Sequence, residues 1–143
     1  MFQSKEELFA PPRHGLRSPT VQVAIAFLVL LFFVVLLRLR KFPGLHWVVQ
    51  RWPTRRRHGS SRMVAPEEIV AALDCALVWL PVRPLCLAYS AALVILLRSH
   101  AFAAELVIGV TNRPFGGHAW VESQGQIVGP SAYTDSCVVL DRF

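Results

Sequence analysis

The feature that most constrains this chain is the run VQVAIAFLVLLFFVVLL at 21–37, apolar except for Gln22 and without a single charge. So much apolar surface has to leave water somewhere. Three destinations compete. A transmembrane helix takes about 17–25 such residues, so the run is at the short end but uniformly apolar. A signal peptide would sit earlier and be followed by small residues at a cleavage site, whereas Arg38, Arg40 and Lys41 follow here. A helix docked on a soluble domain ordinarily keeps a polar stripe, and this one has none.

Charge distribution adds an orientation. Eight of the 15 Lys and Arg fall between Arg38 and Arg62, a span without Asp or Glu. Three basic residues precede the run, partly offset by Glu6 and Glu7. If the run spans a bilayer, the positive-inside rule keeps everything after it in the cytoplasm, anchored to the inner face of the cell membrane by 21–37. The stretch RWPTRRRHGSSR at 51–62 reads first as a solvated linker and second as a patch for anionic lipid headgroups. No nucleic-acid partner is expected, because the aromatic interleaving and motif context of such binders are missing. Cys75, Cys86 and Cys137 are odd in number and widely spaced, with neither CxxC nor paired histidines. That pattern suggests neither a disulfide framework nor a zinc site, and it suits a reducing, cytoplasmic setting.

These cues divide the chain into four parts. Residues 1–19 read as a disordered start, 20–40 as an apolar helix with the composition of a transmembrane segment, 41–64 as a basic linker and 65–143 as a folded domain. Within the domain, Pro66 suits a first helical position, and Glu67 and Glu68 suit the positive end of the helix dipole. Ile69, Leu73, Ala76 and Leu77 then mark one apolar face up to residue 79. A second helix runs from Cys86 to Ser99, apolar nearly all round and so predicted to be central and buried. Short β-branched segments at 105–111, 118–122, 126–129 and 137–143, bounded by Gly, Pro or Ser, predict antiparallel strands. Helices first and strands afterwards give an α+β domain.

One pair of residues carries chemistry. Cys86 opens a helix, where unpaired backbone N–H groups and the dipole favour a thiolate and can stabilise an oxyanion. His118, in HAWVE at 118–122, follows the loop-like NRPFGG and is predicted at the beginning of a strand. Alternation puts His118 and Trp120 on one face and Ala119 and Val121 on the other. A thiol with an imidazole in reach makes a nucleophile and its base; a cysteine in an apolar helix is also a common core residue.

The segment PLCLAYSAALVILLRSHAFAAELVIGVTNRPFGGHAWVESQGQIVG resembles the transglutaminase-like cysteine peptidase of lasso-peptide biosynthesis, the stand-alone form of the C-terminal domain of microcin-processing proteins. The matching features are CL opening a helix, the LVIGV strand, the PF…HAWVE segment and the closing VLDRF, from about residue 65 to the end. The resemblance implies a transglutaminase-like fold, in the papain-like superfamily, with a Cys-bearing helix against a His-bearing sheet. It implies a leader peptidase of ribosomally made peptides that cuts the precursor through a thioester acyl-enzyme, with Cys86 as nucleophile and His118 as base and acid. It also implies a precursor peptide, a leader-binding partner protein and an ATP-dependent lasso cyclase as partners, and no cofactor.

The chain departs from the family at the third catalytic member, an Asp about twelve positions after the histidine. Pro130 stands there. With a three-residue loop at Ser123-Gln124-Gly125, antiparallel counting places 130 opposite 118. Ser131 is the nearest polar substitute and Asp135 an alternative if the chain bulges, with Tyr133 weaker. Glu122 shares the face of His118 but sits roughly 13 Å along the strand at ~3.3 Å per residue. Arg113 and Trp120 are candidates for a substrate groove, with structural roles equally open. Cys75 and Cys137 read as core residues, and the remaining histidines need no special role. The competing function is a catalytically degenerate, membrane-associated peptide-binding module of the same pathway.

Overall fold

The structure is a computed structural model that describes residues 19–55, 64–113, 115–130 and 134–143. A four-stranded antiparallel sheet of order β3-β2-β1-β4 carries the last of three helices on one face, and the first helix packs on the other two, the α+β architecture expected.

Helix α1 (Pro19–Arg51) contains the apolar run and continues well past it. Pro43 lies inside, and its ring and missing N–H are incompatible with an unbroken ladder. The chain yields at Lys41 (φ 55, ψ −158), dividing α1 into two helical segments. The basic linker read over 41–64 is therefore helical as far as Arg51; its residues 56–63 lie outside the described ones, as does the N-terminal segment 1–18. Ala26, Leu30 and Phe33 before the break, and Leu45 and Val49 after it, are buried in the common core. Their spacing is that of one helix face on each side of the break.

Helix α2 (Pro66–Val78) begins as the sequence predicts, with Pro66 in the first turn beside Glu67 and Glu68, and it buries Ile69, Leu73 and Ala76. Helix α3 (Cys86–Ser99) is the centre of the molecule: every residue from Ala88 to Arg98 is buried. Each large side chain so buried is worth roughly 1.5–3 kcal/mol of apolar transfer. The one charge among them, Arg98, is held by backbone carbonyls. Its Nε donates to the Ala104 carbonyl at 2.9 Å, and Nη1 donates to the carbonyls of Val49 at 2.6 Å and Trp52 at 3.2 Å. Two of these acceptors lie at the C-terminal end of α1, where carbonyls lack intrahelical donors and the dipole favours a cation. Arg98 thus caps α1 from inside the core.

Strands β1 (Ala104–Asn112) and β2 (Phe115–Ser123) pair along their whole length, Ala104 with Ser123 through Asn112 with Phe115. β2 starts three residues earlier than the loop-like NRPFGG suggests, so His118 lies within the strand rather than at its beginning. β3 (Gln126–Val128) pairs with the end of β2, and β4 (Val138–Arg142) pairs with β1. The β2–β3 connection is a two-residue turn, Gln124-Gly125, both at positive φ (52° and 77°). This is the turn whose twist suits a hairpin, and glycine relieves one of its two strained positions. The expected loop had three residues, so the register moves by one. Val121 pairs with Val128, and pairing ends there.

The two faces of the sheet differ. Ala104, Leu106 and Val121 belong to the core under α3, with Ala119 packed against it. Val107 and Trp120 are equally buried but stand outside that cluster, on the far face. Two minor expectations fail: Cys75 is exposed and Cys137 only half-buried, because Cys75 falls between the buried positions Leu73 and Ala76 of α2 and points away from them.

Candidate active site

Leu85 is extended (φ −63, ψ 149) and Cys86 is the first residue of α3. The amides of Ala88 and Tyr89 close onto the Leu85 carbonyl at 2.9 and 3.2 Å. Those of Cys86 and Leu87 come before the first donor of the ladder, as helix geometry requires. The thiol is exposed and lines a cavity of about 660 Å³.

Across the cavity, four consecutive residues of β2 line it, His118 through Val121. Successive strand residues point to opposite faces, so the cavity runs along the edge of β2 rather than over one face. That edge is open because β3 stops at Val128, opposite Val121. Cys86 and His118 therefore share one cavity, as the sequence predicts. The imidazole stands on the far face with Trp120: its Nε2 is 3.7 Å from where a Cβ on Gly116 would be, and the Thr111 hydroxyl is 3.8 Å from the same point. Thr111 is buried, and in the β1–β2 register it lies diagonal to His118, which pairs with Gly109.

The candidate third residues fare differently. Pro130 lines the cavity, but the shifted register takes it out of the row opposite His118. Ser131 and Tyr133 lie outside the described residues. Asp135 is exposed in a short 3-10 helix, Thr134–Ser136, and its neighbour Thr134 reaches the cavity while Asp135 does not. Among the described residues the carboxylate that lines the cavity is Asp74, and it accepts a 2.7 Å hydrogen bond from the Tyr89 hydroxyl. Burial, followed by the Asp74 hydrogen bond and charge, pushes the Tyr89 phenol far above its ordinary value. Tyr89 is thus a fixed donor and no proton shuttle.

The groove candidates also separate. Arg113 is exposed in the β1–β2 turn, away from the cavity, because β2 begins early and carries that turn to the far end of the hairpin. Trp120 edges into the cavity, but its ring is built into the sheet. A Cβ on Gly109 would stand 2.8 Å from the indole, so glycine is required beneath it. The indole N–H donates to Glu122 Oε1 at 2.9 Å, and Glu122 Oε2 takes a 2.6 Å bond from Arg142. Those two donors hold the Glu122 carboxyl below its ordinary value, Arg142 contributing most. Glu122 is committed to this bracket, not to His118.

Ser90 was not singled out in the sequence. One turn after Cys86, its hydroxyl donates to the Ala119 carbonyl at 3.0 Å, tying the cysteine's helix to the residue beside His118. A serine four positions after a helix-opening cysteine, in an otherwise apolar helix, was the available signal.

A family model described as the transglutaminase-like superfamily matches residues 27–140, beginning inside α1. A 43-residue stretch is 51% identical to the microcin J25-processing protein McjB of Escherichia coli, covering 30% of this chain and 21% of that protein. The chain thus matches about a fifth of the length of that curated relative, and no solved structure matches it. With four-fifths of its length matched by the family model, the chain belongs to the transglutaminase-like superfamily.

Proposed function

We propose that this protein is the leader peptidase of a lasso-peptide pathway. The carrying observation is Cys86 in the first turn of α3, exposed to a cavity that the strand of His118 also lines. The stretch shared with a microcin-processing protein supports the pathway.

In this reading, His118 takes the Cys86 thiol proton as sulfur attacks the carbonyl carbon at the end of the leader. The amides of Cys86 and Leu87 hold the oxyanion. Collapse breaks the C–N bond, and the imidazolium returns its proton to the departing amine of the core peptide. The leader remains as a thioester on Cys86. Water, deprotonated by His118, attacks it, releasing the leader carboxylate and restoring the thiol. The freed amine is what a separate ATP-dependent cyclase would join to a side-chain carboxylate. The substrate is the precursor peptide, presented by a leader-binding partner protein.

The ring must turn from the Gly116 side to the open edge of β2. A Cβ on Gly117 would meet nothing within 4 Å, so that edge has room. Ser90 positions the strand, and Ser131 is the proposed orienting group. A second reading, a peptide-binding module of the same pathway without catalysis, draws on Pro130 in the cavity wall and on Asp74 being taken by Tyr89.

Mass spectrometry of the precursor incubated with this protein and the leader-binding partner separates the two. Cleavage at one bond, lost in Cys86→Ala and in His118→Ala, is the expected result. Precursor bound but intact, with Cys86 alkylating no faster than exposed Cys75, would sink the peptidase and leave the binding module.

A further inference from the structure

The outward face of α1 is the largest feature that the peptidase reading leaves unused. Val21, Ile25, Leu28, Phe32 and Val35 are all exposed, at intervals of four, three, four and three residues. Leu39 continues the series at the next step of four. At 1.5 Å per residue the stripe from Val21 to Val35 is about 21 Å long. No polar residue interrupts it, and Leu28 and Leu39 are 64% and 76% exposed. Surfaces of this kind are covered by something.

Its far end says what. Arg38, Arg40 and Lys41 are exposed where the stripe finishes, and among the described residues no ion pair holds them. No Asp or Glu occurs anywhere between Thr20 and Pro66. A second copy of the same helix would offer these cations no acid, and aligned in parallel it would set them against their own kind. An anionic bilayer surface offers both an apolar layer and phosphate.

The opposite face of α1 decides how the helix meets that surface. Ala26, Leu30 and Phe33 are 0–1% exposed and share one cluster with Leu73 of α2 and Leu97 of α3. Arg98 fixes the end of the helix through the Val49 and Trp52 carbonyls. A helix that crossed the bilayer would have to be stripped from those contacts. We infer that α1 is a monotopic anchor: it stays docked on α2 and α3 and lies in the plane of an anionic membrane, with Leu28, Phe32 and Val35 in the acyl boundary and Arg38, Arg40 and Lys41 among the headgroups. This holds whether or not the site is a peptidase.

The test is flotation of the full chain with vesicles of phosphatidylcholine alone or with about 30 mol % phosphatidylglycerol. At roughly fivefold per basic residue near an anionic surface, the three predict binding on the order of a hundredfold weaker to neutral vesicles. Leu28→Gln with Phe32→Gln should lower anionic binding at least roughly tenfold while leaving the thermal midpoint unchanged, since both side chains already face outward. Bound protein should be released by alkaline carbonate. Three results would overturn the inference: no flotation, carbonate-resistant insertion, or a dimer that the same double substitution dissociates and that does not float.

Discussion

Helices α1 and α3 are both apolar on nearly every side, yet the molecule uses them differently. α3 is enclosed: every residue from Ala88 to Arg98 is buried, because α1, α2 and the sheet surround it. The first segment of α1 buries only Ala26, Leu30 and Phe33, and its other face has no cover within the described residues. All-round apolarity therefore identifies a helix that must be surrounded, without saying by what. For α3 the surroundings are the chain itself. For α1 half of them come from the chain, and the bilayer proposed above is the other half.

The sharpest way to break the comparison is to truncate equivalent side chains in the two helices. Leu97→Ala in α3 and Phe33→Ala on the inner face of α1 each empty a site of at most 1% exposure. Both should cost about 2–5 kcal/mol in chemical denaturation. Leu28→Ala, on the outer face of α1, should fall within about 0.5 kcal/mol of wild type. If Phe33→Ala were as mild as Leu28→Ala, α1 would not be docked, and a crossing helix would be restored.

Next in size is the buried cation that joins the two helices. Arg98→Met keeps the apolar stem but strips the Ala104, Val49 and Trp52 carbonyls of their donor. Hydrogen bonds from a charged group are worth about 1.5–3 kcal/mol each, and the loss of several partners is not additive, so about 3 kcal/mol is expected. Burial already draws the Arg98 guanidinium below its ordinary value, which partly offsets the loss. Amide exchange should quicken at the end of α1, around Trp52, more than within α2. Uniform acceleration through all three helices would mean that Arg98 serves the core at large and is no cap.

Much of this was legible beforehand. The central helix and the strand order along the chain follow from periodicity, and the resemblance implied the Cys-bearing helix and His-bearing strand that line one cavity. What escaped depended on small geometric choices. A turn of two residues, with Gln124 accepting positive φ, moved the register by one and took Pro130 out of the row of His118. An early start to β2, where Gly116 and Gly117 read as loop, set His118 within a strand rather than at its beginning. The helical stretch after Lys41 was hidden by Pro43 and Gly44 at its start and by the basic clusters on either side of it, which together resemble a linker unless a buried partner such as Arg98 is known to hold its end. The register in particular turns on a residue type that sequence statistics do not favour at its position.

The smallest effect extends the comparison to the sheet, whose two faces differ as the two helices do. One face packs apolar side chains under α3; the other is held by the bracket of Trp120, Glu122 and Arg142 beside His118. Glu122 is held below its ordinary carboxyl value of 4.5, chiefly by Arg142. A depressed folded value means that this contribution is fully present above pH 4.5 and is lost as pH falls through the folded value. Glu122→Gln keeps the shape and removes the titration, so its thermal midpoint should decline less than that of wild type as pH drops below 4.5. Above that pH the variant should melt slightly lower, because the bond to Arg142 loses its charge. The α3-facing side offers an internal control: Val121→Ala should lower the midpoint by the same amount at every pH. A wild-type and Glu122→Gln pair with parallel pH profiles would show that the bracket is spatial only, with Trp120 held by packing over Gly109 rather than by charge.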